Sequence, residues 1–164
     1  MNYKETVQAM DILVVYNPKS WLHRLIKGVT GYKAGHIAIY AGDGMIYDAN
    51  SAGVQRRKWR NYKSYSKIYI CRYMLMTESI ELKIREYLFS KENDRYSFLQ
   101  LAVILVKTIF RLPRSIDASK KAEMCSELAA GAFKYAGISL CDKPDYDTYP
   151  GDILHSDKLW SIKC

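Results

Sequence analysis

Three side chains in this sequence have the types and settings that nucleophilic chemistry needs. Cys125 lies in "KKAEMCSELAAGAFKYAG" (120–137), near the start of a segment with helical periodicity. A thiol there feels the positive end of a helix dipole, which favours the nucleophilic thiolate. Lys120 and Lys121 add positive charge just upstream. His36 opens "GHIAIYAGDGMIYDAN" (35–50), an alternating segment folded back at Gly42-Asp43-Gly44. A neutral imidazole can take a thiol proton, or the two can form a thiolate–imidazolium pair. Asp48 follows on the return strand, where a tight turn brings it beside the first strand. A carboxylate against one ring nitrogen fixes the tautomer and turns the other nitrogen to the thiol. Each residue also has a plainer reading: a small core thiol, a structural histidine, a strand-end carboxylate.

To meet, these residues need a sheet and a helix. "DILVVYN" (11–17) is a short apolar run ended by Asn17-Pro18, which reads as a buried strand. Trp21, Leu22, Leu25 and Ile26 recur with helical spacing, and Gly28 is the expected stop. His23, on that helix, is expected at the surface. The hairpin supplies strands near 35–41 and 44–49, Val54 continues an extended path, and 65–74 is a further strand. Thr77 is placed to cap a helix with an Ile80, Ile84 and Leu88 stripe. An apolar helix is expected over 97–111, as a packing helix or an interfacial membrane one. The thiol helix is expected over 122–136, with Gly137 as its stop. The tail reads as a Pro/Asp loop over 142–150, a short strand "DILHS", and another strand near 159–163. Strands, then helices, then strands favour an α+β fold.

The 164 residues suffice for one domain with a real core, spanning 1–164, and the 49% apolar content excludes a disordered chain. No basic-then-apolar leader opens the chain, and no apolar run reaches bilayer length, so a cytoplasmic location is expected. The four cysteines show no CxxC spacing, so neither a zinc pattern nor a disulfide framework is expected, and no metal or cofactor is signalled. Cys71, Cys141 and Cys164 lack a helix-start setting and are expected to have no catalytic role. The net charge of +8 concentrates in "QRRKWRNYKSYSKIYICR" (55–72). Arg56, Arg57, Lys58 and Arg60 could meet an anionic ligand or a membrane surface, against the plainer reading of a solvated basic face. Without a recognition element, nucleic acid is not an expected partner. Composition leaves the oligomeric state open.

The chain resembles the circularly permuted branch of the NlpC/P60 superfamily of papain-like thiol hydrolases. In that branch the strands bearing the histidine and a third polar residue precede the cysteine helix. The pieces that carry the resemblance are "DILVV", "GHIAIYAGDGMIYDANSAGV", "RYSFLQL", "EMCSELAAGAFKYAGI" and "YPGDILHS". The resemblance implies a papain-like α+β fold, with a small antiparallel sheet or open barrel packed on the cysteine helix. It implies Cys125 as nucleophile, His36 as base and Asp48 as third residue, where many relatives carry Glu. It also implies a site-lining role for Tyr96, in "RYSF", with a packing tyrosine as the alternative. The backbone N–H of Cys125 would be one oxyanion donor. His155 matches no position of the family pattern.

The leading expectation is a thiol hydrolase of amide or peptide bonds, with cell-wall peptides implied by the resemblance. A lipid-directed acyltransferase or hydrolase of the same fold is a second reading. It would expect a histidine where Asp48 stands. A binding module that kept the cleft without turnover is a third.

Overall fold

The computed structural model describes residues 6–50, 53–59, 67–96, 122–123 and 125–163. The apolar segment expected to be a helix over 97–111 lies outside these residues, as do Arg60 and Lys63. In chain order the elements are β1 (Ile12–Tyr16), α1 (Trp21–Thr30), β2 (His36–Gly42), β3 (Met45–Asn50), β4 (Gly53–Lys58) and β5 (Lys67–Tyr73). They are followed by α2 (Glu78–Ser90), β6 (Arg95–Tyr96), β7 (Ala122–Glu123), α3 (Cys125–Tyr135), α4 (Pro150–Leu154) and β8 (Leu159–Lys163). A short 3-10 turn over Asp145–Asp147 precedes α4.

Six strands form one antiparallel sheet in the order β4-β3-β2-β1-β5-β8. β1 is central, and all five of its residues are buried. That explains its unbroken apolar sequence, because both of its faces are covered. On one face, Ile12, Val14, Ile37, Ile39, Tyr47 and Val54 join Ile84 and Leu88 of α2 and Leu128, Ala129, Ala132 and Phe133 of α3. On the other, Leu13, Val15, Ala38, Ile46, Trp59, Ile68 and Ile70 form a second cluster. The two sets alternate along each strand, as a pleated backbone requires. The architecture is the α+β class that the sequence predicts, an antiparallel sheet packed against helices.

α3 packs on α2 and on strands β2 and β3. Small residues make that approach possible, as the sequence suggests, but they face different partners. Ala129 and Ala132 lie in the core beneath the sheet. A Cβ on Gly131 would instead lie 2.4 Å from the Tyr87 hydroxyl of α2. Thr77 caps α2, its hydroxyl accepting from Ile80 N–H at 3.3 Å.

Two expectations about elements need correction. α1 runs through Gly28 and stops at Gly31, whose φ of 77° is the left-handed cap and whose N–H donates to the Lys27 carbonyl. A mid-helix glycine costs only about 1 kcal/mol relative to alanine, whereas the left-handed cap position suits glycine directly. The segment expected as the strand "DILHS" is instead α4 with its cap His155. Pro150 at the first helical position and Asp152, which accepts from Tyr149 N–H at 2.9 Å, are helix-start signals that overrule the apolar Ile153–Leu154 pair. The expected strand near 159–163 is present as β8, an edge strand of the sheet.

Candidate active site

The site is built where two elements begin. His36 is the first residue of β2, and Cys125 is the first residue of α3. Cys125 is 7% exposed and lies near enough to His36 to act on its imidazole. The other side of the ring is fixed by the hairpin. Nε2 of His36 donates to Asp48 Oδ1 at 2.5 Å. Asp48 is fully buried and His36 is 16% exposed.

Strand register explains how these groups meet. Asp48 stands directly opposite Ala38, not His36. His36 is therefore its diagonal neighbour on the same face, at a separation that long side chains can bridge. On the other flank Asp48 stands opposite Gln55, which makes Arg57 the second diagonal neighbour. Arg57 forms an ion pair with Asp48 Oδ2. Asn50, two residues along β3 on the same face, donates from Nδ2 to the same oxygen at 3.2 Å. The two carboxylate oxygens thus divide their partners, with Oδ1 holding the imidazole and Oδ2 held by β3 and β4.

The electrostatics follow from burial and charge. Burial pushes the Asp48 carboxyl up, but the hydrogen bond and charge of His36, with Arg57 and Asn50, bring it down to about 2. Burial likewise disfavours a charged His36. Interactions with Cys125, and the hydrogen bond and charge of Asp48, outweigh that and hold the imidazole well above its ordinary 6.5. Burial, with Asp11 nearby, pushes Cys71 up to about 12. Burial, with Asp152 nearby, pushes Cys141 up to about 11.

His23 is not at the surface, as its position on an amphipathic helix suggests, but buried at 7% exposure. Its Nδ1 accepts the Asn17 N–H at 2.9 Å, so in the neutral ring the proton is on Nε2. Gly35 creates the room: a Cβ there would lie 2.3 Å from His23 Cγ. Burial, then the charge of His36, lower the His23 imidazole to about 4. His155 is exposed and lies against Tyr32, with ring centroids 5.3 Å apart and the planes tilted by 37°. It borders a groove of about 450 Å³ that Cys125, His36 and Asp48 do not line. The Tyr96 backbone pairs in parallel with Glu123, two residues before Cys125. Its side chain lies outside the described residues. Within the basic run, Arg57 turns to Asp48, and Arg72 turns to the buried Asp11, with contacts of 2.8 and 2.6 Å. Arg56 and Lys58 point to solvent.

Sequence reasoning set Arg57 among residues for an anionic ligand and did not find its pairing with Asp48, nor the role of Asn50 or the burial of His23. One signal for Arg57 was available. Trp59, two residues on, is an apolar residue that belongs on a core face, so strand alternation turns Arg57 the same way.

No family model matches the chain, and no curated protein does. Among solved structures, the fold matches that of a protein described as the metalloprotein yiiX from Escherichia coli O157:H7, DUF1105. The TM-score is 0.67, with 94% of this chain and 96% of that one covered, at 13% identity. The chain has the YiiX fold. That fold is the permuted papain-like arrangement the sequence resembles. Among the described residues, no group of three or more His, Cys, Asp and Glu is arranged to hold a metal ion. Asp48 already carries the Arg57 cation, so these residues do not fit the metal in the YiiX description. Among the described residues, no helix is long and apolar enough to cross a membrane.

Proposed function

We propose that the protein is a cysteine hydrolase of amide or peptide bonds. One observation carries this reading: His36 is bonded to a buried carboxylate, with Cys125 at the head of α3 near enough to act on the same ring. The YiiX-like fold supports it. In acylation, Cys125 sulfur bonds to the substrate carbonyl carbon, the C–N bond breaks, and His36 gives its proton to the departing amine. The backbone N–H of Cys125, free of intrahelical bonding at the helix start, is positioned to take the oxyanion. Water then attacks the thioester, its proton passes to His36, and the acid product leaves with Cys125 restored. Asp48 orients the ring and balances the imidazolium charge. Tyr96 is assigned a substrate-lining role, supported by its backbone pairing beside the strand that leads into Cys125. The substrate class, peptides of cell-wall type, rests on the family resemblance. The exposed Arg56 and Lys58 suit the carboxylates of such peptides.

Two measurements test this reading. An electrophilic thiol probe should label Cys125 at neutral pH, and His36→Ala should slow that labelling at least about tenfold. Incubation with cell-wall peptides and with phospholipids, read by mass spectrometry, should give peptide products dependent on Cys125. Labelling indifferent to His36 would overturn the dyad. Lipid products with untouched peptides would overturn the substrate class.

A further inference from the structure

Asp48 is fully buried yet touches two cations from opposite sides, His36 on β2 and Arg57 on β4. The proposed reaction uses only one of them. During turnover His36 loses its positive charge when it protonates the departing amine. A buried carboxylate facing a neutral ring would then be an uncompensated anion, an expensive state in a protein interior. A second cation on the same carboxylate removes that cost.

We propose that Arg57 is a positioning residue that keeps Asp48 charge-compensated while His36 is neutral, so that the imidazolium can release its proton. This deepens the hydrolase reading and rests on it. The register carries the inference: with Ala38 and Gln55 opposite Asp48, the two cations take its two diagonal positions. Arg57 and Asn50 occupy Oδ2, which leaves Oδ1 for the ring. Among the described residues, the charged or titratable groups set against His36 are Asp48 from β3, Cys125 from α3 and His23 from α1. β1 places the apolar Val15 opposite it. Arg57 acts on the ring through Asp48, from β4.

The test follows the His36 ring by its imidazole 15N shifts as pH is raised. Arg57→Met should make the ring hold its proton to a pH about one unit higher, a tenfold shift, because the neutral state loses its counter-cation. Arg57→Lys, which keeps a cation, should titrate near the parent protein. Arg57→Gln serves if the Met variant does not fold. A destabilised Met or Gln variant with an unmoved His36 titration would mean that Arg57 only braces the sheet, and would overturn the inference. The effect of His36→Ala on Cys125 labelling in the parent chain is measured alongside. If that effect is absent, the hydrolase reading fails. If it is present while the Arg57 variants titrate like the parent, only the role of Arg57 fails.

Discussion

Asp48 decides what the histidine beside it can do. Replacing it by asparagine keeps the shape but removes the charge that favours imidazolium. Asp48→Asn should lower the pH at which His36 titrates and slow Cys125 alkylation near pH 7 by about tenfold or more. A pH series of labelling rates checks both effects. The thiols should also rank by environment. Burial holds Cys71 and Cys141 in the protonated form, up to about 12 and 11, so peptide mapping after brief alkylation should find Cys125 modified first. At this scale the cysteine, histidine and carboxylate of the candidate site were legible as residues of interest, because each breaks a local pattern. His36 and Asp48 interrupt an apolar alternation, and Cys125 heads a helix. Arg57 was hidden by its company: in a run of seven basic residues, its one mark was the alternation that leads to Trp59.

Elements hold these groups through close approaches that tolerate little change. Gly35 precedes His36 and lies under the His23 ring. Gly35→Ala should cost about 1–3 kcal/mol through overpacking. The loss should shrink in a Gly35→Ala, His23→Ala double variant, a coupling that urea denaturation of the four proteins would measure. Thr77→Ala, far from the site, should cost about 1 kcal/mol by loss of the α2 cap and leave Cys125 reactivity unchanged. Strand and helix identities were mostly legible from periodicity. The exceptions have local causes. The stop of α1 depended on which of two glycines adopts a positive φ, and α4 depended on capping chemistry that outweighs a short apolar pair.

At the scale of the whole molecule, two histidines shape stability in opposite senses. His23 is lowered in the fold from 6.5 to about 4, so the unfolded chain binds its proton more readily. Its contribution is complete above pH 6.5 and is lost as pH falls from 6.5 towards 4, by up to about 3 kcal/mol. His36 is raised, so its contribution is complete below 6.5 and is lost as pH climbs through its folded value. Melting temperature should therefore fall between pH 6.5 and 4. His23→Asn, which keeps an acceptor for the Asn17 N–H, should flatten that slope. The α+β class was legible from the order of elements. The burial of His23 was not, because it depends on a glycine twelve positions away in another segment.

The order of the elements also carries a consequence for biosynthesis. The hairpin bearing the imidazole and its carboxylate precedes the sulfur-bearing helix by several elements. A nascent chain therefore leaves the ribosome with His36 and Asp48 made before the Cys125 sulfur exists. Any product truncated ahead of residue 125 carries the His36–Asp48 pair without the thiol that the proposed chemistry needs.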